Sequence, residues 1–66
     1  MPVFVQMLSF FTRTGKFDEE KDTRRLNEVI RKLQEKGAKI LDVKVSSSVS
    51  SAVYIITYEA ENPLET

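Results

Sequence analysis

The chain reads as an α+β fold, a three-stranded antiparallel sheet in β-α-β-β order with one helix packed on one face. Two observations predict it. A single stripe of apolar residues recurs at helical spacing, and three stretches rich in β-branched and aromatic residues flank it, the last two separated by a short serine-rich turn.

The first strand is predicted over 3–11. It bears no charge, and alternation divides it into Val3, Val5, Met7 and Phe11 on one face and Phe4, Leu8 and Phe10 on the other. Only Gln6 and Ser9 interrupt, so both faces need cover. A polar loop follows over 12–16, with Gly15 as its flexible point. The helix is predicted over 19–36. Leu26, Val29, Ile30 and Leu33 fall at i, i+3, i+4 and i+7. Asp18, Glu19, Glu20 and Asp22 gather at its start and Lys32 and Lys36 at its end, the arrangement the helix dipole favours. Either Asp18 or Asp22 can cap the start, and Gly37 suits the left-handed position that closes a helix. Glu28 and Lys32 stand in the favourable i,i+4 order, worth about 0.3 kcal/mol.

The second strand, over 39–46, alternates with Leu41, Val43 and Val45 on one side, Asp42 and Lys44 on the other, and Ile40 beside them. One buried and one solvated face suits a strand near a sheet edge. Residues 46–51 form the serine turn. The third strand, over 52–60, sets Ala52, Tyr54, Ile56, Tyr58 and Ala60 against Val53, Ile55 and Thr57. The tail, 61–66, contains Pro63. A right-handed crossover through the helix makes the first two strands parallel and leaves the third between them, in agreement with its two apolar faces.

One helix covers one side of such a sheet. The other side keeps either the set Phe4, Leu8, Phe10, Tyr54, Ile56 and Tyr58 or its opposite-face alternates, and alternation alone does not choose. A chain of 66 residues is a single domain at the small end of what folds alone, with no cysteine for a disulfide. Self-association through the open sheet face, as a homo-oligomer, is therefore the expected source of further burial. The alternative is a monomer in which residues of the first strand fold over the core.

Composition narrows the chemistry. Ten Lys+Arg balance ten Asp+Glu, so no charge excess points to nucleic acid or an anionic membrane surface as partner. With no cysteine and no histidine, thiolate and imidazole chemistry is excluded, both as metal ligation and as nucleophile–base pairing. No segment is long enough to span a membrane and no basic region precedes the apolar first residues, so a cytoplasmic protein is expected.

The remaining candidates each have a plainer explanation. Gly15-Lys16 after a strand invites a phosphate-loop reading but lacks the first glycine and the Ser or Thr after the lysine. Ser46, Ser47, Ser48, Ser50 and Ser51 offer hydroxyls with only Lys44 as a base, and such residues at a hairpin end bond the local backbone. Asp42 and Glu59 lie on strands predicted to pair and form either an acid–base couple or surface charge pairs. The acidic run 18–22 lacks the ligand pattern of a calcium loop and fits helix-start electrostatics. Phe4, Phe10, Tyr54 and Tyr58 resemble base-stacking aromatics, but the basic surround and the second α-β unit of an RNA-recognition sheet are missing. No catalytic residue, metal ligand or cofactor is assigned, and no cofactor-binding residue is identified.

The 66-residue β-α-β-β outline with a long first helix resembles the dodecins, small flavin-storing proteins that assemble as hollow dodecamers. Dodecins stack their flavin on a tryptophan of the second strand, where residues 39–46 of this chain hold no aromatic. Ile40-Leu41-Asp42-Val43-Lys44 and Ile55-Ile56-Thr57-Tyr58-Glu59 are similar to the strand pair of a family of small sporulation-associated proteins of unknown activity. Neither resemblance carries over a functional residue. The function expected is that of a small non-catalytic homo-oligomeric protein, with a small ligand between subunits stacked on Tyr54 and Tyr58. Against it stand a small enzyme built at an interface from Asp42, Glu59 or Tyr58, and a nucleic-acid adaptor.

Overall fold

A computed structural model describes residues 1–12 and 16–64. The expectations at Gly15 and at the last two residues of the tail lie outside the described residues. The elements are β1 (Val3–Phe11), α1 (Glu19–Glu35), β2 (Lys39–Ser47) and β3 (Ser51–Glu59), in one open sheet of order β1-β3-β2. Both pairings are antiparallel, so β1 and β2 run parallel with β3 between them. Among the described residues no helix is long and apolar enough to cross a membrane.

Asp18, not Asp22, caps the helix: its backbone is extended and its Oδ1 accepts the Lys21 N–H at 3.0 Å. Helical structure ends at Glu35, one residue short of expectation, because Lys36 is already the C-cap. There the Gly37 N–H bonds to the Gln34 carbonyl and the Ala38 N–H to the Leu33 carbonyl, each at 3.0 Å. Gly37 has φ +94°, and this double closure is the Schellman arrangement, sealed by Leu33 and Ala38 in one apolar cluster. It turns the chain directly into β2.

The register decides which faces are inside. Phe4, Gln6, Leu8 and Phe10 of β1 stand opposite Tyr58, Ile56, Tyr54 and Ala52 of β3, and this is the helix side. Leu33 and Ile56 are fully buried, Tyr58 is 2% exposed, and Leu26, Val29, Ile30, Phe4 and Ile40 close around them. Towards the other end Leu8, Phe10 and Ala52 are buried. Phe10 meets Tyr54 edge-on at 5.5 Å between centroids, and the Arg25 guanidinium lies 5.1 Å above the Phe10 ring.

The second strand departs from its expected faces. Ile40 stands opposite Tyr58 but Asp42 opposite Thr57, so Leu41 is an extra residue in a β-bulge. The bulge shifts the alternation by one: Ile40, Val43 and Val45 share the helix side, while Leu41 does not join Val43 and Val45 as expected. Nor is one face of β2 buried. Every residue from Leu41 to Ser47 is exposed, Val45 by 58%, because the helix stripe packs on the cluster around Ile56 and Tyr58 of β3, which β2 joins through Ile40 at its start. The third strand begins and ends one residue earlier than expected, yet Ala60 still donates its N–H to the Pro2 carbonyl and is buried.

Candidate functional site

With the even-numbered residues of β1 and β3 turned to the helix, the odd-numbered ones form the open face. On β1 these are Val3, Val5, Met7, Ser9 and Phe11; the four apolar ones are 54%, 58%, 60% and 79% exposed. Val53 and Ile55 of β3 continue the patch half-buried, with Thr57 beyond them. On β2 the same face turns polar. Ser46, Lys44 and Asp42 stand opposite Val53, Ile55 and Thr57, and Lys39 opposite Glu59. The rows that start at Val3, Val5 and Met7 therefore run from apolar at β1 to charged at β2, as in Met7–Ile55–Lys44. Large contiguous apolar patches are uncommon on the surface of monomeric soluble proteins.

The aromatic residues expected to stack a ligand on this face are not on it. Tyr58 is in the core, its ring 5.9 Å from Phe4 and its hydroxyl held by Leu64. Phe4, Phe10 and Tyr54 share its side of the sheet. A stacking role for Tyr58, for a flat ligand or a nucleic-acid base, is thus ruled out by burial under the helix and the tail. Phe11 is the aromatic side chain the open face does present.

The carboxylates are surface groups paired with cations. Asp42 Oδ2 lies 3.9 Å from Lys44 Nζ, and Glu59 Oε1 lies 4.0 Å from the N-terminal ammonium. Asp42 and Glu59 stand opposite Thr57 and Lys39, not opposite each other, so the register does not make them a couple. In the acidic run, Asp18 caps the helix and Glu20 pairs with Arg24 at 3.4 Å. The serines close the hairpin: the Ser48 N–H donates to the Ser51 carbonyl at 2.7 Å, and the two hydroxyls meet at 2.8 Å.

One concavity joins several candidates. A cleft of about 420 Å³ lies between the start of the helix and the β2–β3 hairpin, lined by Phe17, Asp22, Thr23, Val45, Ser47 and Tyr54 among others. Sequence reading missed it because Phe17 and Val45 are remote in the chain and meet only through the tertiary fold. No protein-family model, curated protein or solved structure matches the chain.

Proposed function

We propose that this is a non-catalytic protein that works as a homo-oligomer, its open sheet face packed against another copy. The observation that carries the reading is the uncharged β1 face, four apolar side chains each more than half exposed and continued by Val53 and Ile55. Burying such a patch is worth about 25 cal/mol per Å² of apolar surface, and a small domain has few other sources of stability. The polar β2 side then forms the solvated rim that interfaces commonly show. A non-catalytic role is supported by the lack of cysteine and histidine and by carboxylates that sit on the surface beside cations.

A small ligand is the second reading, favoured by the cleft at Phe17, Val45 and Tyr54, whose volume lies in the range of small-molecule sites. Native mass spectrometry of gently purified protein tests both. A multiple of the 7.6 kDa chain mass is expected, with any ligand as added mass. Ile55→Lys places a charge in the centre of the open face without touching the helix core, and should lower the assembly mass while far-UV circular dichroism stays unchanged. A wild-type monomer at micromolar concentration overturns the reading.

A further inference from the structure

We infer that the free edge of β1 pairs antiparallel with β1 of a second copy, about a two-fold axis at Met7, joining two sheets into one of order β2-β3-β1-β1-β3-β2. The inference rests in part on the open-face reading, which it deepens by assigning a second, separate contact to the same association.

The hydrogen-bond parity of β1 comes first. The Ala60 N–H donates to the Pro2 carbonyl and the Thr12 N–H to the Ser50 carbonyl. In an antiparallel ladder the bonded pairs recur every second residue. The even-numbered residues of β1 therefore bond to β3, and the N–H and C=O groups of Val3, Val5, Met7, Ser9 and Phe11 point away from the sheet. Among the described residues two side chains touch this row. Gln6 Nε2 donates to the Met7 carbonyl at 3.2 Å, and Arg25 Nη1 reaches the Ser9 carbonyl at 3.5 Å, the outer limit of a hydrogen bond. Both are exposed contacts that a paired strand replaces, and Arg25 keeps its place over Phe10.

The two edges of the sheet differ in chemistry. On β2, Lys39, Asp42, Lys44 and the bulge at Leu41 are the devices by which proteins keep an edge from pairing. On β1 none of them is present: nine residues, VFVQMLSFF, carry no charge, no proline and no irregularity of register. A long, regular, uncharged edge of this kind is a template for another strand.

A second copy is the occupant that the surface fits. Strand β1 is centred on Met7, so a two-fold axis there overlaps all nine residues, with Met7 opposite its copy, Val5 opposite Ser9 and Val3 opposite Phe11. No charge meets its own image across the axis. On the helix side Phe4 comes opposite Phe10, an aromatic cross-strand pair. The arrangement also accounts for the gradient across the open face. Taken alone, the sheet has its apolar residues at one edge; in the joined sheet the two β1 strands lie in the middle and the charged β2 strands at both rims.

Area points the same way. Three strands about 4.8 Å apart and about 30 Å long offer a footprint of about 430 Å², roughly half of the about 800 Å² per partner of a standard interface. Two sheets joined edge to edge double the footprint to about that value. Face packing of joined pairs thus gives a tetramer whose face contact is large enough to be stable.

Amide hydrogen exchange on the wild-type chain, followed by NMR at a concentration where it is associated, tests the edge directly. The Val5, Met7 and Ser9 amides should be protected to within about tenfold of Gln6 and Leu8, whose N–H groups bond to β3. Val43 and Val45, which point outward on β2, should exchange freely. Free exchange at Val5, Met7 and Ser9 overturns the inference, and protection on both edges overturns the two-fold in favour of head-to-tail pairing. Ser9→Pro removes an outward N–H and leaves the β3 ladder intact; it should lower the assembly mass at least twofold. If Ile55→Lys lowers the mass and Ser9→Pro does not, the edge contact fails and the open-face reading stands; the converse result sinks the open-face reading and keeps the edge.

Discussion

The Tyr58 hydroxyl accepts a hydrogen bond from the Leu64 N–H at 2.9 Å and donates to the Leu64 carbonyl at 3.4 Å, binding the chain end to the middle of the core. Leu64 packs its side chain on the same cluster. Tyr58→Phe keeps the ring and removes both bonds, leaving a part-buried amide without its acceptor. Urea unfolding should show a loss of about 1 kcal/mol, with faster exchange of the Leu64 amide and little change elsewhere.

Leu33 is fully buried and sits where the helix, the Ala38 turn and Ile56 meet. Leu33→Ala should cost about 2–5 kcal/mol through lost burial and the cavity left behind. A domain of this size has about 3–10 kcal/mol in all. The variant should therefore show a much lowered melting midpoint or no cooperative transition by circular dichroism; an unchanged midpoint would contradict this account of the core.

Asp18→Ala removes the acceptor of the Lys21 N–H and should lower stability by about 1 kcal/mol in chemical denaturation. Asp18→Asn retains a capping oxygen and should stay within a few tenths of a kcal/mol of the parent. Equal losses in the two variants would point to the charge and not the cap.

At Gly37 the cost of a side chain is conformational. A Cβ added there meets nothing within 4 Å, but φ is +94°. Gly37→Ala should destabilise by about 1 kcal/mol, and Gly37→Asn by less, since asparagine tolerates the left-handed region better. Thermal melts of the pair order the two variants.

Much of the fold was legible because its signals are local. The stripe from Leu26 to Leu33, the acids before it and Gly37 after it each act within one or two helical turns, and each does in the structure what its chemistry suggests. Strand order followed from chain connectivity and the handedness of crossovers. The bulge at Leu41 was not legible. Leucine carries no bulge signature, and the extra residue exists only in relation to Tyr58 and Thr57 on β3. That one residue moved Val43 and Val45 to the helix side.

Alternation in the sequence determined which residues travel together: Phe4 with Leu8 and Phe10, Val3 with Val5 and Met7, and Tyr54 with Ile56 and Tyr58. A strand apolar on both sides is symmetric in that pattern, so the sequence by itself left open which set meets the helix. The tertiary structure decided it. The helix has one stripe to bury, and the sheet side that receives it holds the larger rings and branched chains that can interlock with Leu26, Ile30 and Leu33. Once that side was taken, Tyr58 became a core residue and not a binding one, and the β1 face was left to solvent or to another copy of the chain.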